Sequence, residues 1–163
     1  MATRLNISLK TIITNILLGG LAWLLPSPLL AQDDKEAIKT VIAKETSAFM
    51  NVDYKSWADT WVKAPHAYWS YSDSTTSSFV EGWDALNKTY AQYFKESRPS
   101  HAEITNEWIE IRVYENGAFA HFIQRVKDDI DTDETSQVRV LEKIDGKWKV
   151  VCVWAISQNS KNH

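Results

Sequence analysis

Glu45 is the residue best placed to do chemistry in this chain, because it shares a helical stripe with apolar neighbours. It lies three positions after Ile42 and four before Phe49, on the face that also carries Ile38. A carboxylate on such a stripe is costly to bury unless it is paired or protonated. Facing a pocket, it suits proton transfer or the binding of a hydrogen-bond donor on a ligand. Two plainer fates compete: it reaches solvent at the edge of the stripe, or it forms a structural ion pair with Arg139. Trp61, Trp69, Tyr71 and Trp154 are candidates for an aromatic wall that stacks on a planar or sugar-like ligand, while Trp57 and Trp83 are expected in the core. Hydrophobic core is the commoner fate of aromatics at periodic spacing and is the alternative for all four.

Other chemistries find less support. His66 and His121 invite an acid–base or metal reading, but no close His, Cys, Asp or Glu spacing accompanies them, so they are expected at the surface or an interface. Asp129 to Glu134 superficially resembles a calcium loop, yet the sixth position is Glu134 and the twelfth Val140 where an EF-hand needs Gly and Glu. Cys152 lacks an identifiable histidine partner and sits in a strand pattern, where thiols are inert. There is no GxSxG, phosphate-binding loop, dinucleotide fingerprint or zinc-type cysteine pattern, so neither metal nor cofactor is implied.

The elements that must position these residues are legible from periodicity and turn chemistry. A first helix is expected over Asp33–Asn51, with apolar residues at Ile38, Val41, Ile42, Ala48 and Phe49. Asp53 caps a shorter helix carrying Trp57 and Trp61, which Pro65 ends. His66–Tyr71 reads as a strand, and its parity sets whether Trp69 and Tyr71 face inward or His66 and Tyr68 replace them. After a polar loop and a short strand at Phe79–Glu81, Gly82 opens a third helix with Trp83, Leu86, Tyr90, Tyr93 and Phe94 on one stripe.

Beyond Pro99 the chain reads as strands over 102–114, 118–127, 134–144 and 147–158. Asn116-Gly117 and Asp145-Gly146 are strong hairpin signals. A turn at Asn116-Gly117 pairs Val113 with Ala120 and Ile111 with Phe122. Ile109, Ile111, Val113, Ala120 and Phe122 then form a core face, with Trp108, Glu110, Arg112, His121 and Arg125 opposite. The second hairpin is apolar on both faces. One carries Val138, Val140, Val151 and Val153; the other carries Gln137, Arg139, Leu141, Trp148, Val150, Cys152 and Trp154. Such a sheet is expected to have helices on one side and a second subunit on the other.

The ends and composition bound the rest. Residues 1–31 have the form of an export leader: Arg4 and Lys10 without an acid, an apolar run over 11–25, and a break at Pro26-Ser27-Pro28 before a cut near Ala31. The run is short for a membrane span, though an uncleaved anchor is its alternative. Cleavage leaves residues 32–163 as a single exported domain, periplasmic or secreted, with no membrane partner. Losing two basic residues and no acid takes the formal charge from −3 to −5. An acidic chain without a basic stripe argues against nucleic acid. The single cysteine cannot form an internal disulfide, so stability rests on packing. Seven of the eight tryptophans, six tyrosines and five phenylalanines fall in the expected domain, an aromatic surplus of the kind that lines cavities and interfaces.

Helices followed by an antiparallel meander define an α+β fold with helices packed on one face of a curved sheet. The order of elements, the segment Glu81-Gly82-Trp83-Asp84-Ala85-Leu86 and the closing Asp145-Gly146-Lys147-Trp148-Lys149-Val150 resemble the SnoaL-like branch of the nuclear transport factor 2-like superfamily. The resemblance implies a cone-shaped barrel, a pocket between the first helix and the sheet, and homodimers that pack through the sheet. Steroid isomerases, polyketide cyclases, dehydratases and binding proteins share this fold, so it does not by itself assign a function. Ungapped alignment places the isomerases' carboxylate base at Trp69 and their tyrosine donor at Glu45, and a tryptophan cannot abstract a proton. The pocket histidine often found on the last strand is replaced by Cys152 and Trp154. Three readings follow: a binding protein for a small organic ligand, with Glu45 as anchor and Arg139 as counter-charge; a cofactor-free isomerase, hydratase, dehydratase or cyclase using Glu45; and a structural module whose own tryptophans fill the pocket.

Overall fold

The computed structural model describes residues 28–128 and 130–158. The charged start and apolar run of the expected leader lie outside the described residues. The chain runs α1 (Pro28–Met50), α2 (Tyr54–Thr60), β1 (Tyr68–Ser72), β2 (Ser77–Glu81), α3 (Trp83–Glu96), β3 (Glu103–Tyr114), β4 (Gly117–Lys127), β5 (Thr132–Ile144) and β6 (Lys147–Ser157). α1 starts ahead of the acidic signal at Asp33, with Pro28 in the first turn, where its missing N–H is not needed. The helix ends where Val52 takes φ 57°. The carboxylate of Asp53 then accepts the Ser56 N–H at 3.0 Å and starts α2 in a new direction.

The six strands form one open sheet in the order β2-β1-β6-β5-β4-β3. Four of its neighbouring pairs are antiparallel, among them the two that the hairpin signals predict. β1 and β6 pair in parallel, because the last strand returns alongside the first after the whole meander. The sheet is therefore mixed. α1 lies across β3 and β6, α2 against β6, and α3 against β1 and β2. The core between helices and sheet is built from Ile38, Ile42, Trp57, Trp61, Leu86, Phe122, Leu141 and Val150, all essentially inaccessible to water.

Two β-bulges decide which side chains meet that core. In β3 the register with β4 shifts between Trp108 and Glu110, so Ile109 is the extra residue. The shift reverses the alternation along β3. Ile111 and Val113 face inward after it, and Ile104, Asn106 and Trp108 face inward before it. Ile109, expected in the core, is 55% exposed, and Trp108, expected opposite, packs on Phe122 at 4.7 Å between ring centroids. In β6 the shift falls at Val151, between the pairs Val140–Cys152 and Leu141–Val150. Trp148 and Val150 face inward with Leu141, and beyond the bulge Val153 and Ala155 face inward with Arg139 and Gln137. Cys152 and Trp154 turn outward with Val138 and Val140. The expected alternation of this hairpin holds for β5 and fails for the end of β6.

The turns differ in a related way. Tyr114 pairs with Gly117, so the first hairpin turns at Glu115-Asn116, one residue before the expected Asn116-Gly117. Neither Asn116 nor Gly117 has positive φ there. The second hairpin has the expected form, with φ 49° at Asp145 and 74° at Gly146. A Cβ at Gly146 would meet nothing within 4 Å, so only backbone strain opposes substitution. Gly146→Ala should therefore cost about 1–2 kcal/mol. Gly117→Ala should be neutral or slightly stabilising, because its backbone suits any residue. Urea denaturation of both variants checks this; equal losses would restore the Asn116-Gly117 turn.

Candidate functional site

Glu45 sits on the inward stripe of α1, one turn after Ile42, and its side chain is only 7% exposed. Burying a carboxylate demands partners, and three side chains supply them. The Trp57 indole N–H lies 3.3 Å from Oε1, while an Arg139 Nη2 lies 3.4 Å and the Thr46 hydroxyl 3.5 Å from Oε2. The partners come from α2, from β5 and from α1 itself, so three elements converge on one carboxylate.

Arg139 is still more deeply enclosed, with its side chain 4% exposed. Its Nη1 donates to Gln137 Oε1 at 2.5 Å, and its guanidinium lies 5.6 Å from the centre of the Phe122 ring. The buried Nε–H has no hydrogen-bond partner. Burial pulls the guanidinium below its ordinary pKa, and the charge of Glu45 opposes that pull. An arginine starts so far above neutrality that it remains charged. The ion pair between Arg139 and Glu45 is long for a charge-assisted bond, which usually spans about 2.7–2.9 Å.

These groups border a cavity of about 270 Å³ between the helices and the concave face of the sheet. One wall is aromatic: Phe49 from α1, Trp57 from α2, Trp69 and Tyr71 from β1, and Tyr90 from α3. The facing wall is polar, with Gln124 from β4, Asp133, Thr135, Gln137 and Arg139 from β5, and Ser157 from β6. Gln124 donates to the Thr46 hydroxyl at 3.3 Å and to Asn106 Oδ1 at 3.1 Å, and Gln137 donates to the Thr135 hydroxyl at 2.7 Å. The polar wall thus holds its own side chains in place. Burial raises the Tyr90 phenol well above its ordinary pKa, with Glu45 and Tyr93 adding to the shift, so Tyr90 is a neutral hydroxyl.

Of the residues expected at a site, Glu45, Arg139, Trp69 and Tyr71 border this one cavity. Glu45 and Arg139 form the ion pair that was its plainer alternative, and they do so at the cavity wall. β1 has the parity that turns Trp69 and Tyr71 inward, while Tyr68 lies outside, stacked on Phe79 at 6.1 Å. Trp61 and Trp154 are corrections. Trp61 closes α2 and is buried against Trp57 at 5.7 Å, as part of the core. Trp154 is 50% exposed on the outer face, where the Val151 bulge puts it.

His66 meets Glu142 at 3.4 Å on the surface, and His121 meets the Ser136 hydroxyl on the outer face. Cys152 is partly exposed there, and burial pushes its thiol pKa up, which disfavours the thiolate. Sequence reasoning missed the part Trp57 plays: it is core and also a donor to Glu45. It also missed Gln124, although that residue continues the inward alternation Ala118, Ala120, Phe122 along β4. Tyr90 was legible as a stripe residue of α3 but not as part of a cavity.

No protein-family model matches the chain, and no curated protein is similar to it. Solved structures are. A protein of NTF2-like fold and unknown function from Shewanella oneidensis aligns with a TM-score of 0.60 at 17% identity, over 76% of this chain and 98% of its own. A second such protein, from Shewanella baltica, aligns at 0.58 and 19% identity, over 79% and 97%. A ketosteroid isomerase-like protein from Erwinia carotovora atroseptica aligns at 0.56 and 14% identity, over 76% and 95%. The chain has the nuclear transport factor 2-like α+β cone fold. At these identities the likeness concerns fold alone.

The ion pair has a measurable signature. Glu45→Leu should cost about 3–5 kcal/mol, because it leaves Arg139 charged and buried without a counter-ion. Adding Arg139→Met to that variant should recover most of the loss. Urea denaturation of the two single variants and the double variant measures the coupling. Additive losses would show that the two charges do not depend on each other.

Proposed function

We propose that the protein binds a small organic molecule in the cavity beside Glu45, which anchors a polar group of the ligand, with Arg139 as counter-charge. The observation that carries this reading is that a buried ion pair borders an aromatic-walled space that the side chains of the described residues do not fill. A concave site with a few convergent polar groups in an apolar surround is the usual form of a small-molecule site. The structural-module reading required the tryptophans to fill that space. They back it instead: Trp61 and Trp83 pack on Trp57 behind the aromatic wall.

An acid–base enzyme of the same fold is the rival reading, favoured by the convergence of Glu45 and the neutral Tyr90 phenol on one cavity. Glu45→Gln separates the two, since it keeps shape and an acceptor oxygen but removes titration. Ligands should be found first by native mass spectrometry of gently purified protein. A bound molecule that keeps its affinity to within about tenfold in Glu45→Gln, and returns unchanged after incubation, supports the binder. Turnover that Glu45→Gln abolishes supports the enzyme.

We further propose that two copies associate through the outer face of the sheet. Trp154, Ile156 and Val140 are exposed there beside Val138 and Cys152, forming one apolar patch on neighbouring strands. Contiguous exposed apolar residues on a sheet face are the kind of surface that protein–protein contacts use. Sedimentation should give a dimer for the native chain and a monomer for Trp154→Glu. A native chain that sediments as a monomer at micromolar concentration overturns the proposal.

A further inference from the structure

The chemistry of the cavity constrains what it can hold. Glu45 and Arg139 cancel in net charge, and both are cut off from water. A ligand carboxylate against this pair would crowd Glu45, and a ligand ammonium would crowd Arg139. Either would leave a net charge against a pair that water hardly reaches, whereas Asp133, the third charged group of the lining, is exposed to solvent that screens it. Yet the pair is not self-sufficient. Its ion-pair contact is 3.4 Å, and the Arg139 Nε–H has no acceptor at all. The Glu45 oxygens receive only long contacts, between 3.3 and 3.5 Å. Both an acceptor for the guanidinium and a donor for the carboxylate are wanted, side by side and without net charge.

The shape narrows the choice further. The rings of Trp69, Tyr71 and Phe49 line one wall, and aromatic rings pair well with other planar π-systems. At about 270 Å³ the space is just below the range of drug-sized pockets, which run from about 300 to 1,000 Å³. It suits one or two fused rings.

We propose that the cavity recognises a neutral planar lactam, its ring carbonyl accepting from the Arg139 guanidinium and its adjacent N–H donating to the Glu45 carboxylate. This narrows the pocket reading given above and rests on it. A lactam offers donor and acceptor on neighbouring atoms of a flat ring and carries no charge. A vicinal diol offers both but is not planar, and its carbon skeleton stacks less well on the aromatic wall.

The test is carried out on the ligand side, so the fold stays intact. Isothermal titration of the full chain uses four bicyclic probes of similar size: 2-quinolinone, N-methyl-2-quinolinone, naphthalene and 2-naphthoate. 2-Quinolinone should bind at one site at least tenfold tighter than each of the others, because only it supplies both hydrogen bonds without a charge. Thr135→Phe, which fills the space from the polar wall, should abolish that binding. Equal affinity for the N-methyl compound, or tightest binding by 2-naphthoate, overturns the lactam assignment and leaves the pocket reading standing. Undiminished binding of 2-quinolinone to Thr135→Phe also overturns it, by placing the lactam elsewhere. No binding by any probe, naphthalene included, overturns the pocket reading and the lactam assignment with it.

Discussion

Much in this molecule depends on the fact that Arg139 is buried inside the sheet's concave face and must be neutralised there. A guanidinium at that depth is tolerable only with a carboxylate within reach and acceptors for its remaining donors. Gln124, Thr135 and Gln137 beside it on the concave wall are neutral. The carboxylate comes from α1, 94 residues earlier in the chain. The contact therefore fixes the rotation of α1 about its own axis, since only the stripe of Ile38, Ile42, Glu45 and Phe49 can face β5 while it holds. It also ties α2 to the same point, through the Trp57 indole. The aromatic wall and the polar wall face each other because both are organised around this pair.

The bulges are the second constraint, because they convert an alternating pattern into a curved surface. A flat pleat would keep the same parity along each strand. Val151 and Ile109 each insert one residue, bend the strand and reverse its inward set. In β6 the reversal brings Ala155 rather than Trp154 to the cavity wall, and the small side chain leaves space there. Had the alternation continued, Cys152 would stand opposite Arg139 and Trp154 opposite Gln137, where its bulk would take up volume that is now empty. The displaced tryptophan appears instead on the outer face, where it adds to the apolar patch.

Element types were legible in the sequence because they rest on local chemistry: the stripe of α1, the Asp53 cap, the Gly82 helix start and the Asp145-Gly146 turn. Glu45 was legible as a site residue for the same reason, as a charge on an apolar stripe has few stable explanations. Arg139 followed from its place on an otherwise apolar strand face. Trp154 and Ile109 were misplaced because a bulge has no fixed residue signature when neither residue is glycine. Its position is set by how the sheet must curve over the helices, which is a property of the assembled fold. The Asn116-Gly117 turn failed similarly: local preference favoured positive φ, and the register imposed by β4 on both neighbours chose a turn one residue earlier.

The aromatic surplus acquires a physical explanation from the same geometry. Trp57 is held on four sides by rings: Tyr54, Trp61, Trp83 and Tyr90 lie within 5.1 to 6.2 Å of it. Phe94 lies 5.4 Å away on a further side. Such packing leaves the indole little rotational freedom, so its N–H points at Glu45 without a large entropic cost when the contact forms. A lone indole at the surface of a cavity would swing and offer the carboxylate an intermittent donor. The cluster behind the wall thus acts on the site at one remove, by keeping the partner of Glu45 in place. This is also why the cavity stays open: the rings that have the bulk to fill it are already packed against one another on its far side.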